Sequence, residues 1–260
     1  MPESKRIQAR RIQAYSIQAE SIIARPGGEP AWNPDMLSVM TEGVNVFWAD
    51  PLTSSFTDAD GEVPAGFSDL IQRYDNQTEV GSSANFSQAT SGSRPNLVAP
   101  GYIKAPSGTG LRTLRRSAGA GNTLTGATIA AFMYGEGNLQ AQSGLESRIF
   151  IDSGADRRLR VRRGGSSTAS SSNFFFDLDT PLAVIVTMDS SGVKVYRDGE
   201  DVTTTLFDPP PVVEERAFGT SQTVVRAGEP GFLGRAFMGA VKLSDPDDIS
   251  NLNKWLKGEL

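Results

Sequence analysis

The apolar and polar positions of this 260-residue chain follow three different periods. Residues 5–25 repeat every five positions, the chain from about residue 36 consists of short apolar runs separated by turns, and residues 245–260 have helical spacing. Short alternating runs predict strands, and apolar positions three and four apart predict a helix. The pattern therefore predicts an all-β protein with a short C-terminal helix.

The five-residue repeat reads RIQAR, RIQAY, SIQAE and SIIAR. An α-helix advances about 100° per residue, so residues five apart drift by about 140° and make no apolar stripe. The period favours a β-type oligomerisation stem over residues 1–25, while a helix and a disordered tail remain alternatives. Repeat structures need neighbours to bury their faces, so four pentads predict a homo-oligomer, most simply a trimer. The residues predicted to lie between chains share one phase: Ile7, Ile12, Ile17 and Ile22.

The strand signals are strongest in the second half of the chain. TLTGATIAAFMYG (123–135) has the composition of a buried strand, and SRIFIDSG (147–154) and RRLRVRRG (157–164) alternate. PLAVIVTMD (181–189) and VKVYRDGEDV (193–202) predict a hairpin with a further turn at Asp198-Gly199.

The C-terminal helix has both of its ends marked in the sequence. Asp245 or Asp247 is the predicted N-cap, and Lys254 and Lys257 lie near the C-terminal end. Four apolar residues fall on one predicted face: Ile249, Leu252, Trp255 and Leu256.

A segment rich in Pro and Gly, PGGEPAWNPD (26–35), separates the repeat from the strands. It predicts a linker, with Trp32 as a packing anchor between stem and domain. The domain is predicted to span residues 36–260.

Several segments together resemble the concanavalin A-like, laminin-G-like jelly-roll domains of phage and bacterial proteins. They are VFWADPLTSSFTDADGEVPAGFSDL, NFSQATSGSRPNLV, PLAVIVTMDSSGVKVYRDGEDV and FLGRAFMGAVKLSDPDDISNLNKWLKGEL. The resemblance covers roughly residues 44–260 and implies an antiparallel jelly-roll β-sandwich, often with glycan binding on a concave face. Only some branches are catalytic, and the Glu-x-Asp-x-x-Glu spacing of the glucanase branches is not found here. The pentads also resemble the N-terminal stems of phage fibre and decoration proteins.

The amino-acid composition excludes several kinds of functional site. The chain contains no His and no Cys, which excludes a Ser-His-Asp triad, thiolate metal sites and disulfides. Its net charge of -5 does not favour nucleic acid as a partner. No apolar run is long enough to span a bilayer, and MPESKRIQ does not have the pattern of a secretory signal. We expect no cofactor and no membrane insertion.

The candidate ligand-binding residues are Arg158, Arg160 and Arg162 in ADRRLRVRRGG. On a strand these three share one face, with Leu159 and Val161 on the other. The pattern suits a solvated sheet face and also a stripe that recognises carboxylate or sulfate groups. Three further arginines could extend the stripe: Arg112, Arg115 and Arg116.

Acidic and aromatic residues give weaker signals. Asp58, Asp60 and Glu62 in DADGE predict an Asp-Gly turn, because an EF-hand would need a further Glu and flanking helices. Glu214 and Glu215 follow a proline run and are predicted to be exposed. Trp48 and Trp255 are predicted to lie in the core, whereas three tyrosines are candidates for stacking on sugars: Tyr74, Tyr102 and Tyr134.

These resemblances imply a virion structural protein of the fibre or spike type, and we expect no enzymatic activity and no metal. Residues 1–35 would attach it to other virion proteins, and the jelly roll at the virion surface would bind host-surface polysaccharide. One alternative is a capsid decoration protein that binds no glycan. The other is a glycan-degrading spike enzyme, against which the missing catalytic spacing argues.

Overall fold

The computed structural model describes residues 31–41, 46–79, 85–105, 112–117, 126–142, 148–151, 159–162, 168–170, 180–189, 192–203 and 222–260. The predicted stem over residues 1–25, with Ile7, Ile12, Ile17 and Ile22, lies outside these ranges and stays a prediction. The predicted division of the chain at residues 25 and 35 also stays a prediction.

The described chain is mostly antiparallel β-structure. Its strands are β1 (Val46–Ala49), β2 (Ser55–Phe56), β3 (Arg73–Tyr74), β4 (Phe86–Ser87), β5 (Asn96–Val98), β6 (Tyr102–Lys104), β7 (Arg112–Ser117), β8 (Gly126–Gln142), β9 (Arg148–Ile151), β10 (Leu159–Arg162), β11 (Thr168–Ser170), β12 (Leu182–Asp189), β13 (Gly192–Arg197), β14 (Glu200–Asp201) and β15 (Gln222–Gly239). The helices are α1 (Pro51–Ser54) and α2 (Pro246–Lys257), with 3-10 turns at Pro34–Met36 and Ser91–Ser93. In the part of the chain described here, no helix is long and apolar enough to cross a membrane.

Strand β15 organises the large sheet. One edge of β15 pairs with β8 along most of its length, and β8 continues the sheet through β12 and β13 to β14. The other edge pairs in succession with β7, β6 and β1. Register shifts between Ala227 and Gly231 and between Leu233 and Ala236 interrupt the β8–β15 ladder. Such irregularities bend a strand and increase its twist, so one long strand can serve several partners.

The central strands are buried on both faces. Phe47 and Val184 face a first core, which Tyr74, Phe86 and Ile103 close from β3, β4 and β6. Their sequence neighbours face the opposite way, into a second core under helix α2, as expected for side chains that alternate along a strand. The second core includes Val46, Trp48, Ala130, Ala183, Ile185, Phe237 and Leu243 together with the apolar face of α2. This arrangement of two cores confirms the predicted antiparallel β-sandwich with a short C-terminal helix.

Helix α2 begins where the sequence predicts and ends three residues before the predicted end. Asp245 is the N-cap, and its carboxylate accepts a 2.8 Å hydrogen bond from the backbone N–H of Asp247. Gly258 ends the helix in the left-handed conformation at φ +78°, which glycine adopts without a steric penalty. The predicted face is buried: Ile249, Leu252, Trp255 and Leu256.

The predicted β12–β13 hairpin is also confirmed, and a second turn follows it. Asp198 and Gly199 connect β13 to β14 with φ of +48° and +90°. Positive φ at both central residues matches the right-handed twist of hairpin strands. The Asp198 carboxylate also accepts a 3.1 Å bond from the Ala183 N–H on β12, which fixes the turn to the neighbouring strand.

Residues 31–41 are fixed to the domain by two carboxylates. Asp35 accepts hydrogen bonds from Trp48 Nε1 at 3.1 Å, Thr78 Oγ1 at 2.5 Å and the Glu79 N–H at 2.8 Å. Asp248 on α2 accepts from the backbone N–H and the hydroxyl of Ser38. Because charged acceptors strengthen such bonds, this segment has a defined position on the side of the sheet that carries α2.

Candidate functional site

Arg160 and Arg162 of the predicted stripe lie in a separate three-stranded sheet of β9, β10 and β11. In this sheet Arg162 pairs with Arg148 on one side and with Thr168 on the other. Arg160 pairs in the same way with Phe150 and Ser170. Directly opposed residues of an antiparallel pair share one face of the sheet.

We call this face the arginine face and define it by two cross-strand rows, Arg148–Arg162–Thr168 and Phe150–Arg160–Ser170. Every position of the opposite face is apolar: Ile149, Ile151, Leu159, Val161 and Ala169. The predicted alternation of β10 therefore extends over the whole small sheet. The register thus separates polar from apolar positions across the small sheet.

The arginine face has basic residues at three of its positions. Arg148 and Arg162 occupy directly opposed positions of β9 and β10, and Arg160 lies in the next row. The eleven described residues of β9, β10 and β11 include no Asp and no Glu. The register therefore gathers three basic positions on one face, with no acidic position in the described strands of the small sheet.

Two members of the arginine face were not identified from the sequence. Arg148 and Phe150 stand in SRIFIDSG, in the same alternating phase as Arg160 and Arg162 on the neighbouring strand. Aligning the apolar residues Ile149 and Val161 on one face would have placed Arg148 opposite Arg162. The segment between the strands, residues 152–158, is too long for its length to fix the register by itself.

The other arginines have different positions. Arg158 lies outside the described residues, so its predicted role stays a prediction. Arg112, Arg115 and Arg116 lie on β7, which pairs with β15 in the large sheet and not with the small sheet. Arg115 is on the opposite face of β7 from Arg112 and Arg116, because neighbouring positions of a strand alternate.

The DADGE segment is the predicted turn. The Asp58 carboxylate accepts hydrogen bonds from the backbone N–H groups of Gly61, Glu62 and Val63 at 2.9–3.2 Å. Gly61 has a φ of +78°, in the left-handed region that favours glycine. A carboxylate satisfied by its own turn has little remaining capacity for a metal ion. Within the described ranges, no group of three or more acidic residues could hold one.

Arg73 connects this turn to the sheet. Its Nε donates to Asp75 Oδ1 at 2.5 Å, and its Nη1 donates to the carbonyl oxygens of Ala59 and Asp60 at 3.2 and 2.7 Å. The hydrogen bond to Asp75 raises the pKa of the Arg73 guanidinium above its ordinary value. These contacts satisfy the guanidinium internally, which makes its role structural.

The tyrosine candidates differ in exposure. Tyr74 is fully buried in the first core and donates a 3.4 Å hydrogen bond to the Ala49 carbonyl, so the prediction that it stacks on a sugar is wrong. Burial raises the pKa of the Tyr74 hydroxyl well above its ordinary value. Tyr102 is half-buried and packs against Phe132 at a centroid distance of 6.1 Å. The side chain of Tyr134, like Glu214 and Glu215, is not among the described parts of the chain.

We expect Tyr74→Phe to flatten the loss of stability at alkaline pH. The folded-state pKa of Tyr74 is raised, whereas the unfolded-state value is about 10, so above about pH 10 only the unfolded state has released the proton. The wild-type free energy of unfolding should then fall by about 1.4 kcal/mol more per pH unit than that of the variant. Urea unfolding between pH 8 and pH 11, with both proteins side by side, measures this difference; equal alkaline slopes would contradict it.

Comparisons with known proteins give distant structural similarities. No family model and no curated protein matches the chain. A Trypanosoma rangeli sialidase in complex with sialic acid has a TM-score of 0.46 at 12% identity, over 73% of this chain and 32% of the sialidase. The binding domain of botulinum neurotoxin DC in complex with SialylT has a TM-score of 0.40 at 13% identity, over 66% of this chain and 49% of that domain.

Domain 4 of an extracellular arabinanase from Geobacillus stearothermophilus, in complex with arabinotriose, has a TM-score of 0.42 at 12% identity, over 82% of this chain and 100% of that domain. The chain thus spans about a third of the sialidase and about half of the neurotoxin binding domain. At TM-scores below 0.5, function has to be derived from the residues of this chain.

Proposed function

We propose that the chain is a glycan-binding structural protein of the virion surface, anchored by its N-terminal stem, that binds acidic host-surface polysaccharide without cleaving it. The observation that carries this proposal is the register of the small sheet, which brings Arg148, Arg160 and Arg162 onto one face without an acidic residue in its described strands. This local excess of positive charge belongs to a chain whose net charge is -5. A concentrated cationic face on an acidic protein favours a specific anionic ligand over general attraction to polyanions.

The strength of such binding depends on shielding from water. A charge-assisted hydrogen bond from Arg to a carboxylate or sulfate contributes about 1.5–3 kcal/mol when shielded, and an exposed ion pair contributes about 0–1 kcal/mol. A sheet face is open, so each domain should bind weakly. Several domains joined by an oligomeric stem would raise the apparent affinity by avidity.

The position of residues 31–41 supports an anchoring role for the N-terminal segment. Asp35 and Ser38 attach this stretch to β1 and to helix α2, on the side of the second core. A predicted trimeric stem over residues 1–25 would therefore be joined to the domain through a well-bonded segment. The attachment to other virion proteins through residues 1–35 is part of the same proposal.

The test is binding of the full-length chain to alginate, an acidic polysaccharide, with neutral dextran as the control ligand. We expect binding to alginate only, and weaker binding in about 1 M than in about 0.1 M salt, because the Debye length falls from about 10 Å to about 3 Å. The variant Arg158→Ser, Arg160→Ser, Arg162→Ser should bind about 10- to 100-fold more weakly while remaining folded, because three contacts of up to about 1 kcal/mol each are lost. If the proposed face is solvent-facing, serine is tolerated there and circular dichroism should be unchanged.

A matched control removes three positive charges elsewhere: Lys194→Ser, Lys254→Ser and Lys257→Ser. These lysines are exposed on β13 and α2, and their loss should change alginate binding by less than about threefold at 0.1 M salt. Equal losses in both triple variants would refute a specific arginine face.

Substitution of the four pentad isoleucines by Ser should lower both the solution mass and the apparent affinity. Release of reducing sugar during the assay would refute binding without cleavage.

A further inference from the structure

We infer that the side of the large sheet that carries helix α2 has a second sugar-binding site, at which Tyr102 and Phe132 contact the apolar face of one hexose ring and Arg235 donates a hydrogen bond to one of its hydroxyl groups. We call these three residues the aromatic platform. They lie on β6, β8 and β15 of the large sheet, apart from the small sheet of the arginine face. The inference therefore goes beyond the proposed function and does not depend on the arginine face.

The alternation of side chains places Tyr102 and Phe132 on the side of the sheet that carries α2. Leu233 on β15 pairs with Ile103 on β6 and with Met133 on β8, and all three side chains lie in the first core. Neighbouring residues of a strand face opposite sides, so Tyr102 and Phe132 face away from the first core. Phe132 accordingly packs against the second core.

Gly234 lies between the two aromatic residues and lets their rings approach each other. A Cβ atom at this position would lie 3.3 Å from Cδ1 of Phe132 and 3.3 Å from Cδ1 of Tyr102. The ring centroids are 6.1 Å apart, and the ring planes are inclined by 41°. Both residues are half-buried, so the sheet holds them while part of each stays in contact with solvent. Two adjacent rings of this kind offer an apolar surface on the scale of one hexose ring.

A bulge in β15 brings Arg235 to the same side. The register of β15 against β8 shifts between Leu233 and Ala236. Two residues of β15, Gly234 and Arg235, therefore oppose the single residue Phe132, which is the arrangement of a β-bulge. Strict alternation from Leu233 would direct Arg235 into the first core. The bulge re-aims this side chain, and its guanidinium lies against helix α2.

The guanidinium of Arg235 is held in place and still has a donor to offer. Its Nε donates to Asp50 Oδ2 at 2.7 Å, and its Nη1 donates to the Trp255 carbonyl at 2.7 Å. Nη2 has no hydrogen-bond acceptor among the described residues, and the side chain is 26% exposed. Because Asp50 already balances the charge of Arg235, a neutral hydroxyl suits this donor better than a further carboxylate.

The combination of an apolar surface with a charge-balanced donor fits a sugar. A hexose ring has C–H groups on its faces and hydroxyl groups at its rim, so it satisfies both parts of the platform at once. A nucleic-acid backbone would need an excess of positive charge, which the pairing of Arg235 with Asp50 removes. A peptide strand would need an open sheet edge, whereas β15 is paired on both edges at Leu233.

The experiment titrates the full-length chain with mannohexaose, an uncharged oligomer with the sugar configuration of the mannuronate units of alginate, and follows binding by saturation-transfer NMR. Tyr102→Leu and Phe132→Leu should each weaken binding about fivefold, because a leucine side chain replaces the ring. Tyr102→Phe keeps the ring and should bind within about twofold of wild type. Tyr196→Leu is the matched control, since Tyr196 is a half-buried tyrosine that packs against the second core from β13. Its loss should change binding by less than about twofold.

Two further measurements test the nature of the contact. Mannohexaose binding should be equal in about 0.1 M and about 1 M salt, because no net charge is involved, whereas alginate binding at the arginine face weakens with salt. Irradiation of the aromatic protons of the wild-type protein should saturate the ring C–H protons of the sugar. This transfer tests the ring contact without any substitution, so it decides the case in which a leucine variant does not fold.

The two ligands separate this inference from the proposed function. The inference is wrong if wild-type protein does not bind mannohexaose, or if Tyr102→Leu and Phe132→Leu bind it as well as Tyr196→Leu does, whatever the result with alginate. If mannohexaose binds at the aromatic platform and no acidic polysaccharide binds, the proposed function fails and the platform stands. If alginate alone binds, the proposed function stands and the platform fails.

Discussion

Replacement of Trp255 by alanine is expected to lower the free energy of unfolding by about 3–5 kcal/mol. Trp255 is 4% exposed in the second core and makes an edge-to-face contact with Trp48 at a centroid distance of 5.7 Å. The guanidinium of Arg235 lies 5.5 Å from the centre of its ring, and Arg235 Nη1 donates to the Trp255 carbonyl at 2.7 Å. Truncation leaves a cavity between helix and sheet and removes the aromatic and cation contacts together.

Urea unfolding at neutral pH measures this loss, and Lys254→Ala on the exposed side of the same helix is the control. That substitution should change the free energy of unfolding by less than about 0.5 kcal/mol. A loss below about 1 kcal/mol for Trp255→Ala would mean that helix α2 contributes little to the folded domain, in disagreement with the buried contacts.

Local sequence rules were sufficient for helix α2 and for the β12–β13 hairpin. The helix has its N-cap Asp245, its left-handed Gly258 and its apolar face within sixteen residues, so short-range pattern determines both ends. The turn at Asp198-Gly199 is likewise encoded by two residues that tolerate positive φ. Burial of Trp48 and Trp255 also follows from the patterns around them.

Long-range placement could not be predicted in the same way. The attachment of residues 31–41 depends on Asp35 reaching Thr78 and on Ser38 reaching Asp248, contacts between residues 43 and 210 positions apart. No local pattern encodes such partners. The prediction that Tyr74 is a sugar-stacking residue was wrong because β3 is only two residues long and gives no period from which its buried face can be inferred.

The candidate site could be predicted from the sequence only in part. The alternation of β10 predicts that Arg160 and Arg162 share a face, because side chains alternate along any strand. The opposition of Arg148 and Arg162 depends on the register of β9 against β10, and a shift of one residue would move Arg148 to the other face. The interface between the two strands therefore determines a property of the site that neither strand encodes alone.

Phe47→Ala is expected to lower the free energy of unfolding by about 3–5 kcal/mol. The loss comes from a cavity in the first core, whereas Trp255→Ala opens one in the second. Phe47 is fully buried next to Trp48 on β1 and lies on the opposite side of the sheet from helix α2. Its ring contacts Phe86 edge to face at a centroid distance of 4.5 Å and Tyr74 at 5.6 Å. Removing it takes away the aromatic contacts that join β1 to Tyr74 on β3 and to Phe86 on β4.

Phe67→Ala is the matched control, since Phe67 is 52% exposed and should lose less than about 1 kcal/mol on truncation. Near-ultraviolet circular dichroism and urea unfolding distinguish the two variants. Equal losses of stability for Phe47→Ala and Phe67→Ala would contradict the burial of Phe47 in the first core. Because Phe47 and Trp255 lie in different cores, their losses should add, and a combined cost of about 6–10 kcal/mol approaches the whole stability of an ordinary domain. The double variant should therefore be largely unfolded at 25 °C.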